Sequence, residues 1–337
     1  MYDISVIIPV YNAEKTIEIA LKSVLNQTSE NIQVILINDG SSDNTELILK
    51  KYEDKDVLVV NQKNTGVSGA RNTGIMRAEA EYLFFLDADD YIDKDTLQVM
   101  YTYAKKHALD LVACDHLETN STLYQGNSNL APNFVACNET EIGKYFFDLF
   151  PKSACAKLYR YDIIRKHHLM FSVNINLGED QMFTYAYLMQ AKRVGKVSGV
   201  CYHIENINPH SLSKKYIENM EWNISLQLEM WEAVRNKYPY AEKEYYKRYM
   251  DNDFYWISMY LNNLFKQGCP MSFCEKLRKI REYTKKNKDL IKTKIYDKRN
   301  TKSFIEKTAV TVVKTRNSLL IALMYLIKEK IKERKVR

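Results

Sequence analysis

Over its first 115 residues the chain alternates short β-branched runs with amphipathic stretches, and this alternation restricts its fold more than any other feature. The segments ISVIIPV (4–10), QVILIND (33–39), VLVV (57–60), YLFFLD (82–87) and LDLVAC (109–114) predict strands buried on both faces. Between them AEKTIEIALKSVLNQ, DNTELILKKYED, SGARNTGIMRAEA and KDTLQVMYTYAKKH have helical spacing, with Asp43 placed to cap one of them. Such a βαβ series builds an α/β domain whose sheet is mostly parallel, with helices on both faces. Ligands of these sheets gather at the carboxyl ends of the strands.

The pattern then changes. Residues 116–138 are polar and poorly periodic, which predicts a long loop or irregular hairpin. ETEIGKYFFDLF, RYDIIRKHH and EDQMFTYAYLMQA read as helices, and KVSGVCYHI (196–204) as a further strand. From Ser213 onward four long helical patterns follow, near 213–236, 241–266, 271–287 and 301–335. The expected organisation is a catalytic α/β domain over 1–213 and a helical C-terminal region over 214–337. Charge divides along the same line. Residues 1–110 carry 11 Lys+Arg against 18 Asp+Glu, and residues 211–337 carry 29 against 15. An acidic front suits cations or polar ligands, and a basic back suits an anionic polymer or a membrane surface.

Six cysteines without a CxxC pair, and no histidine at zinc-finger spacing, speak against a metal cage or disulfide framework. They read as reduced, mostly buried thiols of a cytoplasmic protein. No basic n-region or cleavage site opens the sequence, so no signal peptide is expected. The longest apolar run, Leu319 to Ile327, is too short to span a bilayer but long enough to lie on one.

The chemistry concentrates at strand ends. YLFFLDADDYI runs from a buried strand into Asp87, Asp89 and Asp90, carboxylates that repel one another unless a cation or hydrogen-bond donors compensate. Oxygen ligands of this kind suit Mg²⁺ or Mn²⁺. The plainer alternative is an acidic turn, with Asp93 or Asp95 capping the next helix. Three other strand ends meet the same rim: PVYN (Pro9 to Asn12), NDGSSDNT (Asn38 to Thr45) and NQKNTGVSGARNTG (Asn61 to Gly74). Asp39 can accept the imino N–H of a uracil ring, Tyr11 can pack on the base, and Arg71 can reach the base edge or the phosphates. Singly, these residues also fit a turn, a rim aromatic and a solvated helix residue.

SVIIPVYNAEKTIEIALKSVLNQT, VILINDGSSDNT, NTGVSGARNTG and FFLDADD, in that order and spacing, resemble the inverting glycosyltransferases of family 2, whose nucleotide-sugar-binding fold is called GT-A. The resemblance covers about residues 4–115, and LGEDQMF (Leu177 to Phe183) extends it to about residue 213. It implies that Pro9, Tyr11, Asp39 and Arg71 hold the nucleotide of a UDP-sugar. Asp87 and Asp89 would form the DxD pair, Asp87 nearer the ribose and sugar and Asp89 on a divalent metal. It also implies that Asp180 is the general base, with Glu179 beside it as orienter or acceptor contact. On residue type alone, both acids equally suit the first turn of a helix. Lys157, His210 and Ser213 lie in stretches similar to bacterial capsule and wall-polymer members, and would meet the diphosphate or the acceptor. His203 reads as a core histidine, and the Tyr and Trp residues of 216–260 as helix core.

The function implied is metal-dependent, inverting transfer of a hexose or N-acetylhexosamine from a UDP-sugar to a hydroxyl of a bacterial surface polysaccharide or lipid-linked glycan. Two rivals are a sugar-1-phosphate nucleotidyltransferase, whose Gly-rich phosphate loop does not follow Ile4 to Val10, and a catalytically silent glycan-binding or scaffold protein. No nucleic-acid partner is expected. The apolar run and basic end of 317–337 predict peripheral contact with an anionic membrane at the inner face of the cell membrane; the structural alternative is packing on preceding helices or on a second subunit of a homo-oligomer.

Overall fold

The computed structural model describes residues 2–54, 56–118, 133–143, 153–175, 177–205, 215–238, 252–288, 291 and 304–336. They fall into two compact units, one of Met1–Asn208 with Met230–Ala241, the other of Pro209–Glu229 with Glu242–Arg337.

In chain order the first unit contains β1 (Ile4–Val10), α1 (Ile17–Leu25), β2 (Ile32–Asn38), α2 (Thr45–Leu49), β3 (Val57–Asn61), α3 (Gly66–Arg77), β4 (Tyr82–Phe85), β5 (Tyr91–Ile92), α4 (Thr96–His107), β6 (Leu111–Glu118), β7 (Asn133–Asn138), β8 (Lys157–Arg160), α5 (Tyr161–Lys166), α6 (Glu179–Leu188) and β9 (Arg193–Ile204). The strands form one sheet in the order β3-β2-β1-β4-β8-β6-β9-β5, with β7 also paired to β9. Pairing is parallel across β3-β2-β1-β4 and between β6 and β9, while β5, β7 and β8 run the opposite way. The result is a mixed, mostly parallel sheet. Its central strand β1 is buried along its whole length, as a continuous β-branched run between two neighbours should be. In α1 the buried residues Ile17, Ala20, Leu21 and Val24 follow the one-sided helical period.

Two features aim the sheet at one rim. Val10 is opposite Asn38 and Asn38 opposite Asn61, so the loops after β1, β2 and β3 leave at the same level. Helix α3 also lies unusually close to the sheet. A Cβ at Gly74 would stand 2.3 Å from Ile7 Cγ2, so only glycine permits that approach.

The sequence pattern did not expose β5, β7 or β8. β8 occupies KLYR, just before the helix expected from Arg160, and β7 falls within the expected loop or hairpin of 116–138. β7 is largely exposed at the sheet edge, which removes the burial pattern that would reveal it. Residues 119–132, His210 and Ser213 lie outside the described residues.

Helix α7 (Met220–Lys237) is shared between the units by residue range, and the second unit contains α8 (Asn252–Asn263), α9 (Phe273–Lys286), α10 (Phe304–Thr315) and α11 (Ser318–Val336). Its interior is aromatic and neutral: Tyr260 stacks on Tyr283 at 3.8 Å between ring centres, and the Tyr325 hydroxyl donates to Ser258 Oγ at 3.0 Å. Asn263 accepts from Ile217 N–H at 2.9 Å and donates to its carbonyl at 2.7 Å. Trp231, Trp256 and Tyr260 are buried helix-core residues and Tyr238 is buried just after α7, whereas Trp222 is 44% exposed and does not belong to the core. A capping box of Ser272 and Glu275 starts α9. The pattern over 301–335 is two helices rather than one. Arg316 takes φ 54°, and the Asn317 side chain accepts from the N–H groups of Leu319 and Leu320, so a new N-cap interrupts the run without any Pro or Gly. Among the described residues, no helix is long and apolar enough to cross a membrane.

Candidate active site

Asp39 follows the last residue of β2 and is buried. Its Oδ1 accepts from Gln62 Nε2 at 2.7 Å, Thr65 N–H at 2.9 Å and Thr65 Oγ1 at 3.2 Å; its Oδ2 accepts from Gly66 N–H at 2.8 Å. A carboxylate here satisfies N–H groups that the first turn of α3 leaves without helical partners. Gln62 is oriented in turn by Thr73 Oγ1, which donates to its Oε1 at 2.7 Å. Neighbouring Asn12 accepts from Ser42 N–H at 2.8 Å and its own N–H donates to Ser41 Oγ at 3.0 Å, so the loop bearing Tyr11 is fastened to the loop after Asp39. Tyr11 projects into solvent, 54% exposed, whereas Pro9 is held inside β1.

Arg71 is not a solvated helix residue. Carried by α3 and only 2% exposed, it donates from Nη1 to Asp180 Oδ1 and from Nη2 to Asp87 Oδ1, the latter at 2.7 Å. Its guanidinium lies 5.2 Å from the centre of the Phe171 ring. Burial lowers its pKa, but the two carboxylates outweigh that and hold it well above the usual arginine value. One cation thus ties the acidic end of β4 to the first turn of α6.

The support beneath this pair is aromatic. Asn72, next to Arg71, donates to the Phe171 carbonyl and accepts from its N–H, both at 2.8 Å. Phe171 stacks on Phe183 of α6 at 4.0 Å, and Phe85 of β4 meets both rings edge-on at 5.2 and 5.6 Å.

The three carboxylates after β4 have different surroundings. Asp87 N–H donates to Tyr202 Oη at 3.1 Å, and that hydroxyl donates to Asp90 Oδ2 at 2.6 Å. Asp90 is buried and also accepts Glu205 N–H at 3.0 Å; burial first, and Asp87 second, push its pKa up to about 7. Asp89 is half-buried, and its side chain makes no hydrogen bond to another residue among those described. Burial and then Asp87 raise its pKa. Asp93, read as a helix cap, instead binds Cys201 N–H at 2.9 Å and His203 Nε2 at 2.7 Å, while His203 stacks on Tyr91 at 4.5 Å.

Glu179 and Asp180 open α6 after Gly178, whose φ of 89° suits glycine. Burial pushes the Glu179 carboxyl up to about 6, with Asp180 adding to the effect. Burial also raises Asp180, opposed by Arg71. Lys157 is fully buried in β8, donates to the carbonyls of Ser153 at 2.5 Å and Cys155 at 3.2 Å, and is lowered to about 8 by burial.

The structure therefore brings Arg71, Asp87 and Asp180 together by direct contact, adds Asp89 and Asp90 through the same loop, and sets Asp39 at the start of the helix that carries Arg71. Tyr202, Phe171 and Gln62 are supporting residues that the sequence reading did not single out. Asn72 and Gln62 lie inside the quoted motif stretches, but Tyr202 sits in an ordinary strand pattern with no signal of its role. Among the described residues, no group of three or more His, Cys, Asp or Glu side chains could hold a metal ion alone. Asp87 and Asp89 fit a different arrangement: a hard divalent ion commonly takes one or two carboxylates and fills its remaining positions with substrate phosphates and water. Asp89, without a competing partner among the described residues, could serve as such a ligand.

The family model "Glycosyl transferase family 2" matches residues 5–167. The uncharacterized glycosyltransferase EpsJ of Bacillus subtilis is 31% identical over 255 residues, 71% of each chain. The poly(ribitol-phosphate) beta-N-acetylglucosaminyltransferase TarP of Staphylococcus aureus is 31% identical over 209 residues, covering 60% of this chain and 63% of TarP, so the match spans less than two thirds of that relative. Among solved structures, residues 1–349 of S. aureus TarS in complex with UDP-GlcNAc align over 97% of this chain and 92% of that one, with TM-score 0.61 and 21% identity.

Proposed function

This chain is a glycosyltransferase belonging to glycosyl transferase family 2, and from that premise we propose that it moves a hexose or N-acetylhexosamine from a UDP-sugar, with inversion and the help of Mn²⁺ or Mg²⁺, to a hydroxyl of a bacterial surface polysaccharide or lipid-linked glycan. The observation that carries this reading is the linkage of Asp87 and Asp180 through the buried Arg71, which on this reading joins a diphosphate-side carboxylate to a base-side carboxylate. The name of TarP, acting on poly(ribitol-phosphate), and the fold shared with a structure holding UDP-GlcNAc support the substrate classes.

In this reading Asp39 accepts the uracil imino N–H through Oδ2, which receives one hydrogen bond among the described residues, and Tyr11 covers the base. Asp87 and Asp89 would hold the divalent ion and the adjoining sugar. When bound, that ion supplies neutralisation of the charge developing on the departing UDP. Asp180 accepts the proton of the acceptor hydroxyl as its oxygen bonds to the anomeric carbon and the bond to UDP breaks. Its raised pKa makes it a stronger base than an ordinary aspartate, while Arg71 keeps the carboxylate aimed and the burial tolerable. Glu179 contacts the acceptor.

A UDP-release screen over a panel of UDP-sugars, with and without Mn²⁺, tests the proposal. One UDP-sugar should turn over well, and EDTA or Asp89→Ala should silence it with the fold intact. Release from no UDP-sugar in the presence of a wall-polymer acceptor, or full activity in verified metal-free protein, would refute it.

A further inference from the structure

We propose that the exposed face of α11 docks on an anionic lipid bilayer. Because Asn317 caps it afresh, α11 is an element separate from α10 with two faces of its own. Ile321, Ala322 and Tyr325 are completely buried on one, Tyr325 reaching Ser258. Leu319, Leu320, Leu323, Ile327 and Ile331 are each 41% to 56% exposed. At about 100° per residue these five fall in one stripe roughly 120° wide, away from the buried face. The apolar run is therefore not used up by packing within its unit. The stripe extends about 18 Å along the helix.

Charge selects the occupant. From Lys328 to Arg337 the sequence has six basic residues against two acidic, and Lys330 is exposed among the last apolar positions of the stripe. A second copy laid on this face would bring more positive charge, whereas anionic headgroups complement it. An amphipathic helix with a basic end lies in the plane of the interface, its apolar side chains at the acyl boundary. That agrees with the absence, among the described residues, of a helix able to cross a membrane. The proposal adds a partner surface outside the reacting groups and does not depend on the identity of the transferred sugar.

Sedimentation of the full chain with vesicles tests it. The protein should pellet with vesicles of phosphatidylcholine and phosphatidylglycerol in equal parts at low ionic strength, and not with phosphatidylcholine alone. Salt at about 0.5 M should weaken binding, since exposed charges are then screened. Combining Leu320→Gln, Leu323→Gln and Ile327→Gln should lower partitioning at least about tenfold, with circular dichroism and thermal unfolding unchanged because all three side chains already face solvent. No binding of the intact chain to anionic vesicles overturns the proposal, as does equal binding of the triple variant. Equal binding to neutral vesicles removes the charge argument and overturns it too. Loss of a dimer in sedimentation velocity, without a change in vesicle binding, would assign the stripe to a second copy instead.

Discussion

The two units handle buried polarity in opposite ways. In the first, Asp39, Arg71, Asp90 and Lys157 are buried and carry ionisable groups; in the second, the buried polar side chains among the described residues are the neutral Asn223, Gln227, Ser258, Asn263 and Thr284. A buried charge costs stability unless it is paired and hydrogen-bonded. The first unit meets that cost where parallel strands end, with Asp39 on helix N–H groups and Arg71 between two carboxylates. The second unit, with Asn263 clamping Ile217 and Tyr325 on Ser258, uses polar groups only to fix its packing. Among the described residues buried charges are retained in the first unit alone, which supports placing the proposed chemistry there.

The largest test of this contrast is Arg71→Leu. Removing the shared cation takes the main partner from Asp87 and Asp180; breaking a buried pair costs about 3–5 kcal/mol, and because both carboxylates are part-exposed the loss should lie at the lower end of that range. Denaturant unfolding should show that loss, and turnover should fall with it. Stability equal to wild type would mean that the linkage contributes nothing to the fold.

Next comes Asp180→Asn, which keeps a carbonyl for Arg71 but removes the base. The rate should fall by about 10²-fold or more while UDP-sugar affinity stays near wild type. The wild-type rate should also decline toward acid as Asp180 takes up a proton. Burial places that limb above the ordinary aspartate range despite Arg71 and Lys157, with Asp87 adding to the rise and Glu179 as its neighbour. The limb should vanish in the Asn variant. Weak donor binding with an unchanged rate at saturation would make Asp180 a binding residue.

The smallest effect belongs to the other unit. Asn263→Ala strips both hydrogen bonds from the Ile217 backbone and should cost roughly 1–3 kcal/mol. Because no charge of the reaction is involved, the saturated rate measured below the melting temperature should stay within about twofold of wild type. A rate loss comparable to that of Asp180→Asn would erase the distinction between the units.

How much of this was legible depended on whether a signal was local. The strands β1 to β4 and the helices between them announce themselves because each buried run is continuous and each helix has a one-sided pattern. β7 and β5 do not, one being exposed at an edge and the other only two residues long. Asp39, Asp87, Asp89 and Asp90 were visible as acids at strand ends, whereas Glu179 and Asp180, in the first turn of a helix, were singled out only by the family resemblance. Arg71's partners were not, since Asp87 and Asp180 lie 16 and 109 residues away in sequence. The burial of Lys157 was not legible, because a lone lysine in sequence carries no mark of it and its partners are the backbone carbonyls of Ser153 and Cys155. The break at Asn317 was written in the sequence as an asparagine before Ser-Leu-Leu, but the apolar period on both sides hid it.

The grip of Asp39 on the start of α3 has a consequence for inheritance. The same helix carries Arg71 five positions after Gly66, so the residue proposed to hold the base of the donor grips one end of the rod on which the partner of Asp180 rides. Substitutions at Gln62 or Thr65 that loosen the grip would be selected against through turnover as well as through donor affinity. On the proposed reading, a lineage that changes its sugar would keep this joint and vary elsewhere on the rim, at positions that touch neither Asp39 nor Arg71.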